Sequence, residues 1–230
     1  MVGGLRKRVR KIDMDDIVRV GRALGLRKLS LNAVATELQV SPAALYRHVD
    51  GRWGLELAVG ESLLGDLTLH DDPAHDIEQH LLSFGLQLRS FVLAHPGLGT
   101  YMQTLFPRGE AGQRLMATEV GALMQRGYAP DVAVSLASAV ASVSINFAVA
   151  EEAQLERIEG LERQRNEVVD RLRSDAELGE AHRDLPAFDH EGFSKLVLTA
   201  SIRGFLAVAP AGRPLHEVVM DLGSTAAGLE

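Results

Sequence analysis

The stretch "LSLNAVATELQVSPAALYRHVDGR", Leu29 to Arg52, decides the fold. Ser30 stands in front of Leu31, Val34, Ala35 and Leu38, an N-cap followed by apolar residues at i, i+3, i+4 and i+7. Ser41 then precedes Pro42, which at the first helical position loses an N–H that would have no partner anyway. Leu45 and Val49 give this second segment an inner edge, and Val40 in the turn anchors it inward. The spacing predicts two short helices across a tight turn, the second about two turns long. A helix that short is not stable alone. Its composition is also odd for a packing element: small Pro42, Ala43 and Ala44 lead, and Tyr46, Arg47 and His48 stand on the flanks.

Upstream, Met14, Ile17, Val20, Gly21 and Leu24 fall at helical spacing, with Gly25 as a C-terminal stop. Downstream, Asp50 is placed to cap a helix bearing Leu55, Ala58, Val59, Ser62 and Leu63. The polar "HDDPAHD", 70–76, ends that region. Beyond it, Ile77 to Ala94 and Glu110 to Arg126 read as helices. "PDVAVSLASAVASVSINFAVAEEAQ" from Pro130 has its stripe at Val132, Leu136, Ala139, Val140, Val143 and Phe147, and its other faces are Ala and Ser. Residues 151–184 carry 17 charges and form either a mobile loop or a solvated helix. After Pro186, "DHEGFSKLVLTASIRGFLAVA" is again apolar on several faces, and the tail allows one more short helix. No strand alternation or repeat stands out. The fold class is all-α: an N-terminal three-helix domain with a helix-turn-helix, and a larger C-terminal helical domain. The divisions are 1–52, a connecting helix and seam over 53–75, and 76–230.

Charge divides the same way. The chain carries −7 overall, yet residues 1–52 hold 11 Lys/Arg against 5 acids, a net of +6, which leaves −13 for the rest. Phosphate backbones attract the first part and repel the second. A basic end alone is also what a solvated arm looks like; the helix pair behind it favours a DNA-binding reading. A helix-turn-helix lays its second helix in the major groove with its N-terminal residues at the base edges. Pro42, Ala43 and Ala44 keep that edge slim and can sense a thymine methyl. No apolar run reaches the ~20 residues of a membrane helix, the charged N-terminus lacks a signal peptide's apolar segment, and the chain has no cysteine. A cytoplasmic protein is expected. No phosphate loop, HExxH or GxSxG is present and the eight His are dispersed, so no enzyme and no cofactor is expected.

With "LS…VA…LQVSPAALYRHVDGR" in view, the sequence resembles the TetR (tetracycline repressor) family of bacterial transcription regulators. "LRSFVLAHPG", "LMQRGYAPDVAVSLASAVASVSINFAVAEEAQ" and "FDHEGFSKLVLTASIRGFLA" extend the likeness to the ligand-binding half of the tetracycline repressors. The family usually has Gly where Gln39 stands; Gln fits there if its φ stays negative. The resemblance implies a repressor that binds a palindromic double-stranded DNA operator as a homodimer, its two reading helices about 34–36 Å apart, and a small-molecule effector. It places the dimer interface on helices over about 131–153 and 189–208, which agrees with their apolar faces.

By resemblance, the DNA-binding residues are Ser30, Asn32, Ser41, Pro42, Ala43, Ala44, Tyr46, Arg47, His48 and Arg52, with Arg47 and Arg52 on phosphates. Asn32 stands where the tetracycline repressors read guanine with Arg; Asn prefers adenine. Tyr46 packing on a neighbouring helix, and Asn32 as a solvated polar residue, are the bland alternatives. Arg6 to Lys11 either enter the minor groove or screen phosphates. On the effector side, Glu151 matches a metal-ligating Glu, but the matching His position falls near Met102 and Gln103, with no His between His95 and His182. One carboxylate does not hold Mg²⁺, so no metal site and no Mg–tetracycline are expected; the effector is small and largely apolar. Candidate pocket residues are Phe84, Leu88, Phe91, Tyr101, Met102, Phe106, Met116, Asn146, Phe147 and Glu151. Asn146 is the polar candidate, because an amide on an apolar helix needs a partner, while Glu151 otherwise simply begins the charged segment. The competing function is an acidic helical dimer that binds another protein and touches DNA without sequence preference.

Overall fold

The computed structural model describes residues 12–155, 158–183, 185–186 and 189–227; the basic arm Arg6 to Lys11 lies outside them. Among the described residues all regular structure is helical. The chain divides into two compact units: residues up to Thr68 together with His95–Leu115, and Leu69–Ala94 together with Met116 onward. Residues 95–115, expected from the sequence to join the C-terminal domain, thus belong with the N-terminal helices.

In the first unit, α1 (Met14–Leu24), α2 (Leu31–Leu38), α3 (Pro42–Leu45) and α4 (Gly51–Leu64) pack around Ile17, Val34, Leu38, Leu45, Leu55 and Val59, all fully buried. α1 begins at Asp13, whose carboxylate accepts from the Asp16 N–H, and ends at Gly25 with φ 76°. α4 crosses α1 at Gly21, where a Cβ would collide with the Val59 Cγ2. Arg22 fastens the same pair: its Nη1 donates to the Ser62 carbonyl at 2.8 Å and to the Ser62 hydroxyl at 3.0 Å, and its guanidinium pairs with Asp66. That hydrogen bond holds the Asp66 carboxyl below the usual carboxylate range. α6 (Leu98–Thr104) and the start of α7 (Glu110–Gln125) complete the unit.

Four local expectations are corrected here. Gln39 is left-handed, φ 56°, and not negative. The Ser41 side chain makes no capping hydrogen bond, and neither does that of Asp50. α3 is one regular turn, Pro42–Leu45, extended by a turn in which the His48 and Val49 N–H groups both donate to the Leu45 carbonyl. The predicted two turns are thus one turn and a tightened tail.

In the second unit, α5 (Ile77–Ala94), α8 (Pro130–Leu155) and α11 (His190–Val208) pack on one another. The three come close at Gly85, where a Cβ would stand 2.7 Å from the Ser144 Oγ and 2.8 Å from a Leu198 methyl. The buried face of α8 is Val132, Ala133, Leu136, Ala137, Val140, Ser144, Ile145 and Ala148. Ala139, Val143 and Phe147, expected on it, are only half-buried, because the small residues take the closest approach. The charged segment is a solvated helix, α9 (Ile158–Ser174), followed by α10 (Gly179–Arg183), and the tail forms α12 (Leu215–Ala227). α8 is long and apolar enough to cross a membrane, with mean hydropathy 1.9, although no uninterrupted apolar run of that length exists in the sequence. Nearly half of that stretch is buried against the unit's own helices.

Candidate nucleic-acid interface

α2 starts where Ser30 Oγ accepts from the Ala33 N–H at 3.1 Å and stops in a paired-bond cap. There the Gln39 N–H donates to the Thr36 carbonyl and the Val40 N–H to the Ala35 carbonyl, the 5→2 and 6→1 bonds of a Schellman motif. The left-handed residue turns the chain sharply enough to start α3 three residues later, at Pro42. Leu45 is fully buried and Val49 is 5 % exposed, so α3 and its tail are held from the inside.

The outside is what the sequence places there. Ser41, Pro42, Ala43, Tyr46, Arg47 and His48 are exposed, and Ala44 is half-buried. Tyr46 is 60 % exposed, which corrects the alternative that it packs on a neighbouring helix. Asn32 is exposed on the adjacent turn of α2, and its carbonyl accepts from the Thr36 hydroxyl. Ser30 is half-buried and commits its hydroxyl to the cap. Arg52, exposed at the start of α4, donates from Nε to Glu56 Oε1 at 2.7 Å. A slim apolar edge flanked by an aromatic phenol, a guanidinium and an imidazole is suited to a groove lined by phosphates.

The unit supports this surface through residues that no local sequence pattern marks. The Arg108 guanidinium lies between the rings of Trp53 and Tyr101, 4.1 and 4.2 Å from their centroids. Its Nη2 donates to the Tyr101 carbonyl at 3.0 Å. Tyr101 packs on α4 where Gly60 leaves room, and its hydroxyl donates to Glu61 Oε1 at 3.3 Å. Burial and then the Glu61 charge push the Tyr101 phenol well above its ordinary value. Glu61 Oε2 in turn accepts from the Ala111 N–H at 2.7 Å, capping the start of α7 from α4. An open cleft of about 420 Å³ runs beside it, lined by Leu57, Ala58, Ser62 and Arg114 among others, and includes none of the predicted pocket residues.

The predicted effector residues divide between the units. Tyr101 and Met102, both buried, and Phe106 belong to the first, and Tyr101 is committed to the α4 contacts just described. Phe84 and Leu88 are buried in the second unit; Phe91, Met116 and Phe147 are half-buried there, and Phe147 meets Phe193 edge-on at 6.1 Å. Asn146 is exposed, and the partner expected for its amide is on its own helix: it donates to the Ser142 carbonyl at 2.7 Å. Glu151 pairs with Arg89, itself 8 % exposed, so its carboxylate neutralises a buried cation. Among the described residues no group of three His, Asp or Glu side chains is arranged to hold a metal.

No family model matches the chain, and no curated protein matches it. Solved structures do. Apo ActR from Streptomyces coelicolor is similar at 21 % identity and a TM-score of 0.73, over 88 % of this chain and 100 % of that one. The TetR family protein ActR in complex with actinorhodin, from the same organism, is similar at 22 % identity and a TM-score of 0.76, over 89 % and 100 %. A single-substitution variant of TetR from Acinetobacter baumannii in complex with minocycline is similar at 19 % identity and a TM-score of 0.61, over 86 % and 98 %. With its buried-inside, slim-outside helix pair and its helical second unit, this chain has the all-α fold of the TetR-family transcriptional regulators.

Proposed function

We propose that the protein is a TetR-like transcriptional regulator, a repressor that binds a palindromic operator as a homodimer and leaves it when a small, largely apolar effector binds. The observation that carries this reading is the exposed edge Pro42–Ala43–Tyr46–Arg47–His48, held from the inside by Leu45 and Val49, in a region of net charge +6. Such a region is drawn toward phosphate, and its leading edge fits the major groove. That solved relatives in fold were captured with actinorhodin and minocycline supports a small-molecule effector here. The Glu151–Arg89 pair supports a metal-free one, because the carboxylate that would meet a cation is already neutralised. The effector needs only a few kcal/mol of preference for the state that does not fit DNA. On this reading the protein is no enzyme and works in the bacterial cytoplasm.

The test is selection of bound sequences from a random DNA pool by the full chain at near-physiological salt. A palindromic consensus is expected, with adenine preferred at the base read by Asn32; Asn32→Arg should shift that position toward guanine. A folded protein that enriches no sequence would reject the regulator and point to the acidic protein-interaction module instead.

A further inference from the structure

Glu56 stands between two arginines of very different exposure. Its Oε1 accepts from Arg52 Nε at 2.7 Å, and its Oε2 lies 3.8 Å from Arg108 Nη1. The Arg52 side chain is 75 % exposed; that of Arg108 is 2 % exposed. Arg108 is held by two ring faces, by its Nε bond to the Leu105 carbonyl at 3.2 Å and by its Nη2 bond to the Tyr101 carbonyl. Those contacts leave Nη1 buried with no hydrogen-bond partner. A buried charged donor without an acceptor is costly. The Glu56 carboxylate is just beyond hydrogen-bond reach, and a side-chain rotation would close the gap.

From this arrangement we infer that Glu56 is a partner-exchange switch: it holds Arg52 in the free protein and turns to Arg108 when DNA arrives, releasing Arg52 to a phosphate. The inference rests on the DNA-binding reading above. Its energetics follow from exposure. The Arg52–Glu56 pair sits in water, where such pairs contribute little. A phosphate therefore displaces Glu56 from Arg52 at little cost, and the freed carboxylate then meets a buried guanidinium, where screening is weaker and an orphan donor is satisfied. The exchange also neutralises a carboxylate that would otherwise face the phosphate held by Arg52.

Operator affinity measured between about 50 and 200 mM salt tests this, because the log–log slope counts the phosphates neutralised. Arg52→Gln should lower the slope by about 1.8, about 0.9 for each subunit of the dimer on its palindrome. Arg108→Met keeps an unbranched stem between the two rings but no charge; it should lower the slope by the same amount, since Glu56 then keeps Arg52. In a Glu56→Gln background, Arg108→Met should leave the slope unchanged. An equal loss in both backgrounds overturns the exchange, because Arg108 would then only brace its loop. If far-UV circular dichroism shows Arg108→Met unfolded, the other two variants decide. A wild-type slope in Arg52→Gln overturns the exchange, and an Arg52→Gln loss beside a wild-type slope in Glu56→Gln supports it. Absence of any preferred sequence for the wild type removes the DNA reading and this inference with it, whereas specific binding with a Glu56-independent Arg108 effect removes the exchange alone.

Discussion

His80 is 3 % exposed, with Nδ1 2.9 Å from Asp71 Oδ1 and Nε2 3.0 Å from Glu119 Oε1. A neutral imidazole donates from one nitrogen only, so both contacts are satisfied together by the imidazolium. Burial by itself would lower the His80 pKa; the hydrogen bond and charge of Glu119, joined by Asp71 and opposed by Arg126, outweigh it and raise the value. Arg126 also holds the Asp71 carboxyl down, through a 2.6 Å contact. A raised folded-state pKa stabilises the protein fully below the unfolded value of about 6.5, and that stability is lost as pH rises through the folded value. Unfolding followed by urea titration should therefore show stability falling above pH ~6.5 in the wild type. His80→Gln should lack that fall and cost about 3 kcal/mol at pH ~6, because it leaves Glu119 buried without its cation. Parallel pH curves for the two proteins would count against a charged His80. Nothing in the sequence around His80 announces this cluster. Its partners come 9 and 39 positions away, and hydrophobic periodicity carries no information about which polar residues meet across helices.

Elements were more legible than residues, because helical spacing and caps are local. Ser30 as the cap of α2, Gly25 as the stop of α1 and the bounds of α5 follow from patterns a few residues long. Leu45 and Val49 face inward as their spacing requires. The exceptions share a cause. Ser41 and Asp50 stand where caps belong, but tertiary packing sets the direction in which α3 and α4 leave, and neither side chain reaches its own helix. The stack of Arg108 on Trp53 and Tyr101 brings α4 to a loop more than fifty residues away, so no local pattern reveals it. Gln39 is a third case: the Schellman bonds demand a left-handed residue, and the turn geometry wins over the side chain's preference. That conformation costs a non-glycine residue roughly 1–2 kcal/mol. Gln39→Gly relieves it while loosening the unfolded chain, for a net gain of about 0.5–1 kcal/mol. Thermal unfolding should register a higher midpoint with an unchanged helical spectrum. A lower midpoint would mean that the Gln39 side chain contributes more than its backbone costs.

At the scale of the whole molecule, the division of charge and the unpaired faces of two helices belong to one argument. Opposite the buried Ser194, Leu198 and Ile202, α11 exposes Phe193, Leu196, Ala200, Gly204 and Ala207; Phe193 and Leu196 are 49 % and 50 % exposed. Opposite its own buried face, α8 exposes Ser135, Ser138, Ser142, Asn146 and Ala150. Small residues let a second helix come close, and large apolar ones make its arrival favourable. Neither stripe carries the charges that coat α9. We expect these faces to meet their copies in a homodimer, which would present the basic edge of α3 twice to one palindrome. Equilibrium sedimentation should find a dimer at micromolar concentration. Leu196→Asp places one carboxylate per subunit in that contact. Losing two buried leucines alone is worth about 3–6 kcal/mol, so the dimer should weaken by roughly 100-fold or more. The variant's single subunits should keep their helical content, because Leu196 is no part of the subunit core. Operator affinity should fall with the dimer and recover as protein concentration is raised. A variant that stays dimeric would place the contact on another surface.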